Sequence, residues 1–232
     1  IADIEKIMGK TDDDIEKINT LEFTGTFGGP AYAGLTFVCF GGQTSSADWN
    51  NVIDYKSSTS SGDASDFGDM SEAIQFGSAA AGSGRAVHAG GGKSPSWTTG
   101  RNNMEYVTVS STGNTTDAGD LTVARTEGPG GAGNGTRAIW AGGYASGYGN
   151  VMDYMAISST SGASDFGDLN NNTGNGNCGG SLTRFLHNGG NDLVQQIDYV
   201  AFDTTGDASD FGDLQKPTRS NGGGINTEAR MI

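Results

Sequence analysis

Two patterns of apolar and polar positions take turns along this chain. The first is a short apolar run closed by paired glycines: "FVCFGG" at 37–42, "AVHAGG" at 86–91, "AIWAGG" at 138–143 and "FLHNGG" at 185–190. A few apolar residues stopped by glycine predict a short buried strand. The second pattern alternates and contains an acid followed by tyrosine: "NVIDYKSS", "NNMEYVTVSS", "NVMDYMAISS" and "QQIDYVAFDT". In the third copy Met152, Tyr154 and Ala156 fall on one face and Asp153 and Met155 on the other, which predicts a half-buried strand. A third segment, "DFGDL" or a variant of it, adds a strand or tight corner carrying Phe67, Phe166 or Phe211. A Gly-rich stretch after it, such as "TEGPGGAGNG", is expected to supply a fourth strand.

These segments recur as a block. "GDASDFGDM" at 62–70 returns as "GNTTDAGDL" at 113–121, "SGASDFGDL" at 161–169 and "GDASDFGDL" at 206–214. The associated tyrosines, Tyr55, Tyr106, Tyr154 and Tyr199, are separated by 51, 48 and 45 residues. A fixed period of this size marks a repeat array, in which no single unit can bury its own apolar face. The 40 glycines and 34% hydrophobic residues agree with a core assembled from many thin pieces. Disorder is the competing reading of such a composition, and the regular return of β-branched and aromatic residues argues against it. The paired glycines, Gly41–Gly42, Gly142–Gly143 and Gly189–Gly190, are expected to adopt positive φ or to abut a neighbouring unit.

Charge narrows the partners. The net charge is −14, spread along the chain without a Lys/Arg cluster, which argues against nucleic acid and against an anionic membrane. No apolar stretch approaches the roughly 20 residues that span a bilayer, so membrane insertion is not expected. Cys39 and Cys178 occupy different repeat columns and are read as small buried side chains, not as a pair. Residues 1–20 hold a separate duplication, "IADIEKIMGKT" then "DDDIEKINT". It predicts two short helices or an extended segment, capped by Asp and broken at Gly9, whose Ile4, Ile7, Ile15 and Ile18 need a surface to cover. The chain therefore divides into an attachment segment, 1–20, and a repeat domain, 21–232.

Candidate chemistry is sparse. His88 and His187 share one column with Cys39 and Trp140, two residues before the paired glycines, so they read as copies of one packed strand position. A metal between them lacks a third ligand. Asp63, Asp66 and Asp69 recur as Asp207, Asp210 and Asp213, an oxygen-rich set that could hold Ca²⁺. The alternative is that these acids cap turns by bonding their own backbone, as each repeat needs the same corner. No cofactor is expected.

Paired glycines after an apolar strand, then tyrosine, a second aromatic and a Gly-rich strand: over residues 23–232 this resembles the kelch repeat, whose units run to roughly 40–50 residues. The resemblance implies an all-β, kelch-like β-propeller of four to five blades, with N- and C-terminal strands sharing a blade in the five-blade case. Kelch units carry Trp at the second aromatic position. Here Phe67, Phe166 and Phe211 stand there, with Ala118 in unit two, which should be the loosest. The arrangements used by propeller enzymes are missing. No tyrosine is placed beside Cys39 or Cys178 as kelch-type copper oxidases require, and the "ASDFGD" block departs from the sialidase loop. A non-enzyme is expected.

The wording "NVIDY…SSTSGASDFGDL…GGY" also resembles the kelch-like repeat proteins of tailed bacteriophages, particularly marine and cyanobacterial ones. That resemblance implies a virion structural protein on a fibre, tail or capsid, docked to other virion proteins through residues 1–20. The loops after the paired glycines differ most between units and carry Trp49, Trp97, Tyr144 and Tyr148. Aromatic-bearing loops on a rigid scaffold suit contact with host surface glycans. A purely architectural decoration subunit, a secreted bacterial lectin or adhesin domain, and a homo-oligomer remain as alternatives within this reading.

Overall fold

The computed structural model describes residues 36–45, 48–93 and 96–218; apart from one short 3-10 turn at Asn191–Leu193, every regular element among them is a β-strand. The attachment segment with Ile4, Ile7, Ile15 and Ile18 lies outside the described residues. Four antiparallel sheets follow one another in chain order. The first joins β1 (Thr36–Ser45), β2 (Asp48–Ser57) and β3 (Ser65–Asp69). The second contains β4 (Ile74–Gln75), β5 (Ser78–Gly82), β6 (Arg85–Ala89), β7 (Gly92–Lys93), β8 (Ser96–Thr108) and β9 (Thr116–Arg125). The third is β10 (Gly130–Gly133), β11 (Arg137–Ala141), β12 (Gly149–Ala156) and β13 (Ser164–Thr173). The fourth is β14 (Asn177–Gly180), β15 (Arg184–Asn188), β16 (Gln196–Ala201) and β17 (Ser209–Asp213).

Each Gly-rich stretch opens the sheet that follows it; it does not close the unit that precedes it. The cause is local. Gly82 pairs with Arg85 across a two-residue loop, Ser83–Gly84, in which both residues have positive φ. Such a loop matches the natural twist of a hairpin, so β5 folds back at once onto β6.

The "SDFGD" block is the outermost strand of every sheet and carries the same bulge each time. Ile53 faces Gly68 and Asp54 faces Asp66, leaving Phe67 unpaired; Phe166, Phe211 and Ala118 are bypassed in the same way. The glycine after the bulged residue has positive φ in all four copies. Its N–H is held by the Asp two residues earlier: Asp66 for Gly68 (3.0 Å), Asp117 for Gly119 (2.8 Å), Asp165 for Gly167 (3.1 Å) and Asp210 for Gly212 (2.8 Å). The bulge turns Phe67 and Phe166 inward, each edge-on to the tyrosine of its own repeat. An arginine covers the tyrosine in three units, Arg85 over Tyr106 at 4.0 Å, Arg137 over Tyr154 at 4.7 Å and Arg184 over Tyr199 at 5.0 Å; in unit two Ala118 stands where the others place the edge-on Phe.

Three apolar clusters lie between successive sheets. Ile53, Phe67 and Val107 belong to the first, Val87, Met104 and Trp140 to the second, and Ile139, Phe166 and Phe202 to the third. Strands of the inner sheets are therefore covered on both faces. Met152, Asp153 and Met155 of β12 are all buried, which corrects the expectation of a half-buried strand. Cys39 is exposed, against the expectation for it, and Cys178 is half-buried; both thiols are free. The paired glycines all have positive φ, as expected, and a Cβ on Gly142 would stand 2.6 Å from the Thr173 carbonyl oxygen.

The sheets are joined at both ends. At the inner strands Gly82 bridges Gly135 in parallel, and a Cβ on Gly82 would meet the Gly135 carbonyl at 2.4 Å. At the outer strands, the residues just ahead of one "SDFGD" block dock along the free edge of the previous one. Gly113 N–H donates to the Phe67 carbonyl (2.7 Å) and Thr115 N–H to the Asp69 carbonyl (2.9 Å). Gly206 and Ala208 repeat this on Phe166 (2.7 Å) and Asp168 (2.8 Å), and Gly162 and Ala163 on Ala118 (3.1 Å) and Asp120 (2.8 Å). Backbones approach so closely that a Cβ on Gly68, Gly119 or Gly167 would lie within 2.4 Å of the docked chain. Among the described residues no backbone hydrogen bond joins the first sheet to the fourth.

Candidate functional site

The acid ahead of each tyrosine has a role that its alternating strand conceals. Glu105 of β8 accepts from the Ser71 N–H (2.9 Å) and hydroxyl (2.6 Å) and from the Thr115 hydroxyl (2.5 Å). Asp153 of β12 accepts from the Thr122 N–H (3.3 Å) and hydroxyl (2.5 Å). Asp198 of β16 accepts from the Asn170 N–H (3.1 Å) and side-chain amide (2.6 Å). Ser71, Thr122 and Asn170 each follow the Met or Leu that ends a block, so the acid of one sheet grips the chain leaving the sheet before it. Charge-assisted bonds of this kind are stronger than neutral ones. They act as staples between repeats.

At the junction of the second and third sheets the staple gains a cation. Arg125, at the end of β9, donates to Asp153 (2.5 Å), to the Val151 carbonyl (2.8 Å) and to the Trp140 carbonyl (3.2 Å). Burial pushes the Asp153 carboxyl up, and the Arg125 guanidinium and Thr122 pull it back. Burial also raises Asp198, against the bonds from Asn170. For Glu105 burial acts upward, but the bonds from Ser71 and Thr115 and the charge of Arg101 together outweigh it and hold the carboxyl below its ordinary value.

His88 and His187 pack in equivalent places, each ring lying where a Cβ on the glycine just ahead of the inner strand, Gly77 or Gly176, would otherwise stand. Their glycines make room for a ring, and Gly131 does the same for Trp140. Burial lowers both histidines from 6.5 to about 4, so both are neutral at pH 7. The unfolded chain binds these protons first. Stability is therefore complete above about pH 6.5 and falls as the pH drops toward 4, by about 3 kcal/mol for each histidine. Urea titrations across that window are expected to show the loss, and a His88→Gln/His187→Gln variant to flatten it. An unchanged slope in the variant would refute the assignment.

Three of the six acids weighed as Ca²⁺ ligands, Asp66, Asp207 and Asp210, hold backbone. Asp66 and Asp210 hold the N–H groups of Gly68 and Gly212. Asp207 reaches the Asp168 N–H at 3.0 Å, and Asn114 holds the Asp69 N–H in the equivalent place. Asp63, Asp69 and Asp213 join no group of three His, Cys, Asp or Glu side chains suited to a metal ion among the described residues.

The four loop aromatics belong to three different sheets. Trp49 lies in β2 of the first sheet, opposite Gln43. Trp97 lies in β8; its side chain is outside the described residues. Tyr144 and Tyr148 meet edge-on at 5.4 Å inside one loop of the third sheet, both half-buried. The Tyr148 hydroxyl accepts from the Asn191 amide at 2.7 Å, which ties that loop to the fourth sheet. A cavity of about 600 Å³ also opens between the first and second sheets, against Phe37, Val38, Phe40, Ala80 and Val109. Its walls are apolar, and the bordering Arg85 is already engaged by Tyr106 and by the Ser158 carbonyl.

No helix among the described residues is long and apolar enough to cross a membrane. No protein-family model matches the chain, and a search of curated proteins finds no match.

Proposed function

We propose that this chain is a non-enzymatic structural protein of a tailed-phage virion, its sheets consecutive blades of a kelch-like β-propeller displayed on a fibre, tail or capsid. The observation that carries the reading is the use made of its polar chemistry. Among the described residues the buried acids Glu105, Asp153 and Asp198 and the buried cation Arg125 all hold one repeat to the next, and the histidines are packed neutral. A chain that commits its reactive groups to scaffolding while its hairpin tips differ from copy to copy is built to present surfaces. The resemblance of the repeats to kelch-like phage proteins supplies the virion, and residues 1–20 are its attachment segment to other virion proteins.

The displayed loops contact the host surface, with glycans as the ligand class and Trp49, Trp97, Tyr144 and Tyr148 as the stacking residues. Gold-labelled antibody against the chain is expected to decorate purified particles of the phage that encodes it. Label confined to a cell envelope would replace this reading with a secreted lectin or adhesin. On a glycan array the protein is expected to bind, and Trp49→Ala and Trp97→Ala to weaken binding about tenfold or more. Particle labelling without any glycan signal would leave a decoration subunit.

A further inference from the structure

The contact that joins consecutive sheets uses the same backbone bonds and acid staple at all three junctions, with an Asn or Asp holding the edge Asp N–H at two of them, and each part has one unused copy at either end of the described array. On the fourth sheet the receiving edge is open. Phe211 is 44% exposed, whereas Phe67 and Phe166, covered by the next repeat, are 3% and 2% exposed. The carbonyls of Phe211 and Asp213 and the N–H of Asp213 occupy the places that in earlier copies bind the incoming segment. Among the described residues they have no such partner. A Cβ on Gly212 would meet nothing within 4 Å, unlike those on Gly68, Gly119 and Gly167. Gln215, which stands where Ser71, Thr122 and Asn170 stand, is exposed.

On the first sheet the complementary parts are open. Ala64 is exposed, whereas its counterpart Ala208, docked on the third sheet, is 8% exposed, and among the described residues no backbone bond from Gly62 or Ala64 matches those that Gly206 and Ala208 make. Asp54 occupies the staple column of Glu105, Asp153 and Asp198, and it too is exposed. The block at 62–70 matches that at 206–214 in all but its last residue, so the first sheet carries a plug whose fit to a preceding "DFGD" edge is already realised within the same molecule.

We propose that the first sheet of one copy docks on the fourth sheet of a second copy, head to tail. Gly62 and Ala64 N–H groups donate to the Phe211 and Asp213 carbonyls, Asp63 receives the Asp213 N–H, and Asp54 receives Gln215. The occupant follows from the match between copies: the plug at 62–64 is identical to the one at 206–208 that docks on Phe166 and Asp168, and it is the copy left unengaged among the described residues. Such an interface is heterologous, giving a ring if the rotation closes and a filament if it does not. Both faces are acidic, with Asp54 and Asp63 meeting Asp210 and Asp213, so added salt should strengthen the association by screening that repulsion. The inference rests on the contacts between sheets and is independent of the virion role.

The test is sedimentation of the full chain over a wide concentration range, with and without salt. Species of two or more chains are expected. Ala64→Arg should weaken association at least about tenfold while leaving the thermal midpoint of the dilute protein unchanged, because Ala64 is exposed. A one-chain mass throughout, or association indifferent to Ala64→Arg, overturns the proposal. An Asp63→Cys/Asp213→Cys variant, made with Cys39→Ser and oxidised by glutathione, locates the contact. Disulfide-linked ladders on a non-reducing gel support docking between copies. A link within one chain means that the array closes on itself, and absence of any link means that the faces do not meet; either result overturns the proposal.

Discussion

Phe166→Ala is expected to destabilise the protein by about 3–5 kcal/mol, the usual cost of emptying a buried aromatic site. Phe211→Ala, the same change in the same column, is expected to stay below about 1.5 kcal/mol in dilute solution. The two rings share a sequence environment and an edge-on tyrosine, Tyr154 or Tyr199, at 5.5 Å. They differ in what lies above them. Phe166 is 2% exposed beneath the segment that begins at Gly206, and Phe211 is 44% exposed. Losing Phe166 also leaves Leu169, Phe185 and Phe202 around a cavity that neighbouring backbone, fixed by the glycine contacts, cannot fill. For a chain of this size the loss corresponds to a fall of roughly 6–20 °C in Tm. Parallel thermal melts of the two variants decide the matter. Equal effects would mean that burial between repeats is not what the column provides.

Asp153→Ala is expected to be as damaging, about 3–5 kcal/mol, for a different reason. The carboxylate is fully buried and is the only ionic partner of Arg125 among the described residues. Removing it strands a guanidinium that is itself 3% exposed, and orphans the Thr122 N–H and hydroxyl. Breaking a buried pair by deleting one member leaves an uncompensated charge, which costs far more than the pair contributes. The double variant Arg125→Met/Asp153→Leu should therefore recover most of the loss. Denaturant titrations of the single and double variants form the cycle, and a double variant no more stable than Asp153→Ala would refute the account.

The parts of this structure that repeat were legible in the chain. The paired glycines and the Phe column announce themselves because each recurs at a fixed place, and their conformations follow from simple sterics. The reading of Asp66 and Asp210 as turn caps was equally accessible, as the bond is to a glycine two residues on. Two features were not. The acids Glu105, Asp153 and Asp198 looked like the wet face of an alternating strand, since nothing in one strand says that another sheet lies over it. The signal was there in a fixed offset: a Ser, Thr or Asn after each of the first three "GDM" or "GDL" segments, gripped by the acid of the next repeat. Arg125 was harder, because it occurs in one copy alone and carries no periodic mark. The assignment of the Gly-rich strand β5 to the following sheet depended on a two-residue loop, Ser83–Gly84, whose Ser at positive φ is not a standard turn signal.

Because every junction shares the same backbone bonds and acid staple, and Arg125 is an addition at one of them, the coding segment for one unit can be duplicated or excised by recombination with little redesign of its neighbours. The gene can lengthen or shorten the array in steps of one unit, while each hairpin tip is free to drift. Selection would then act on tip and copy number separately, with the glycine-on-glycine seam as the part that cannot change.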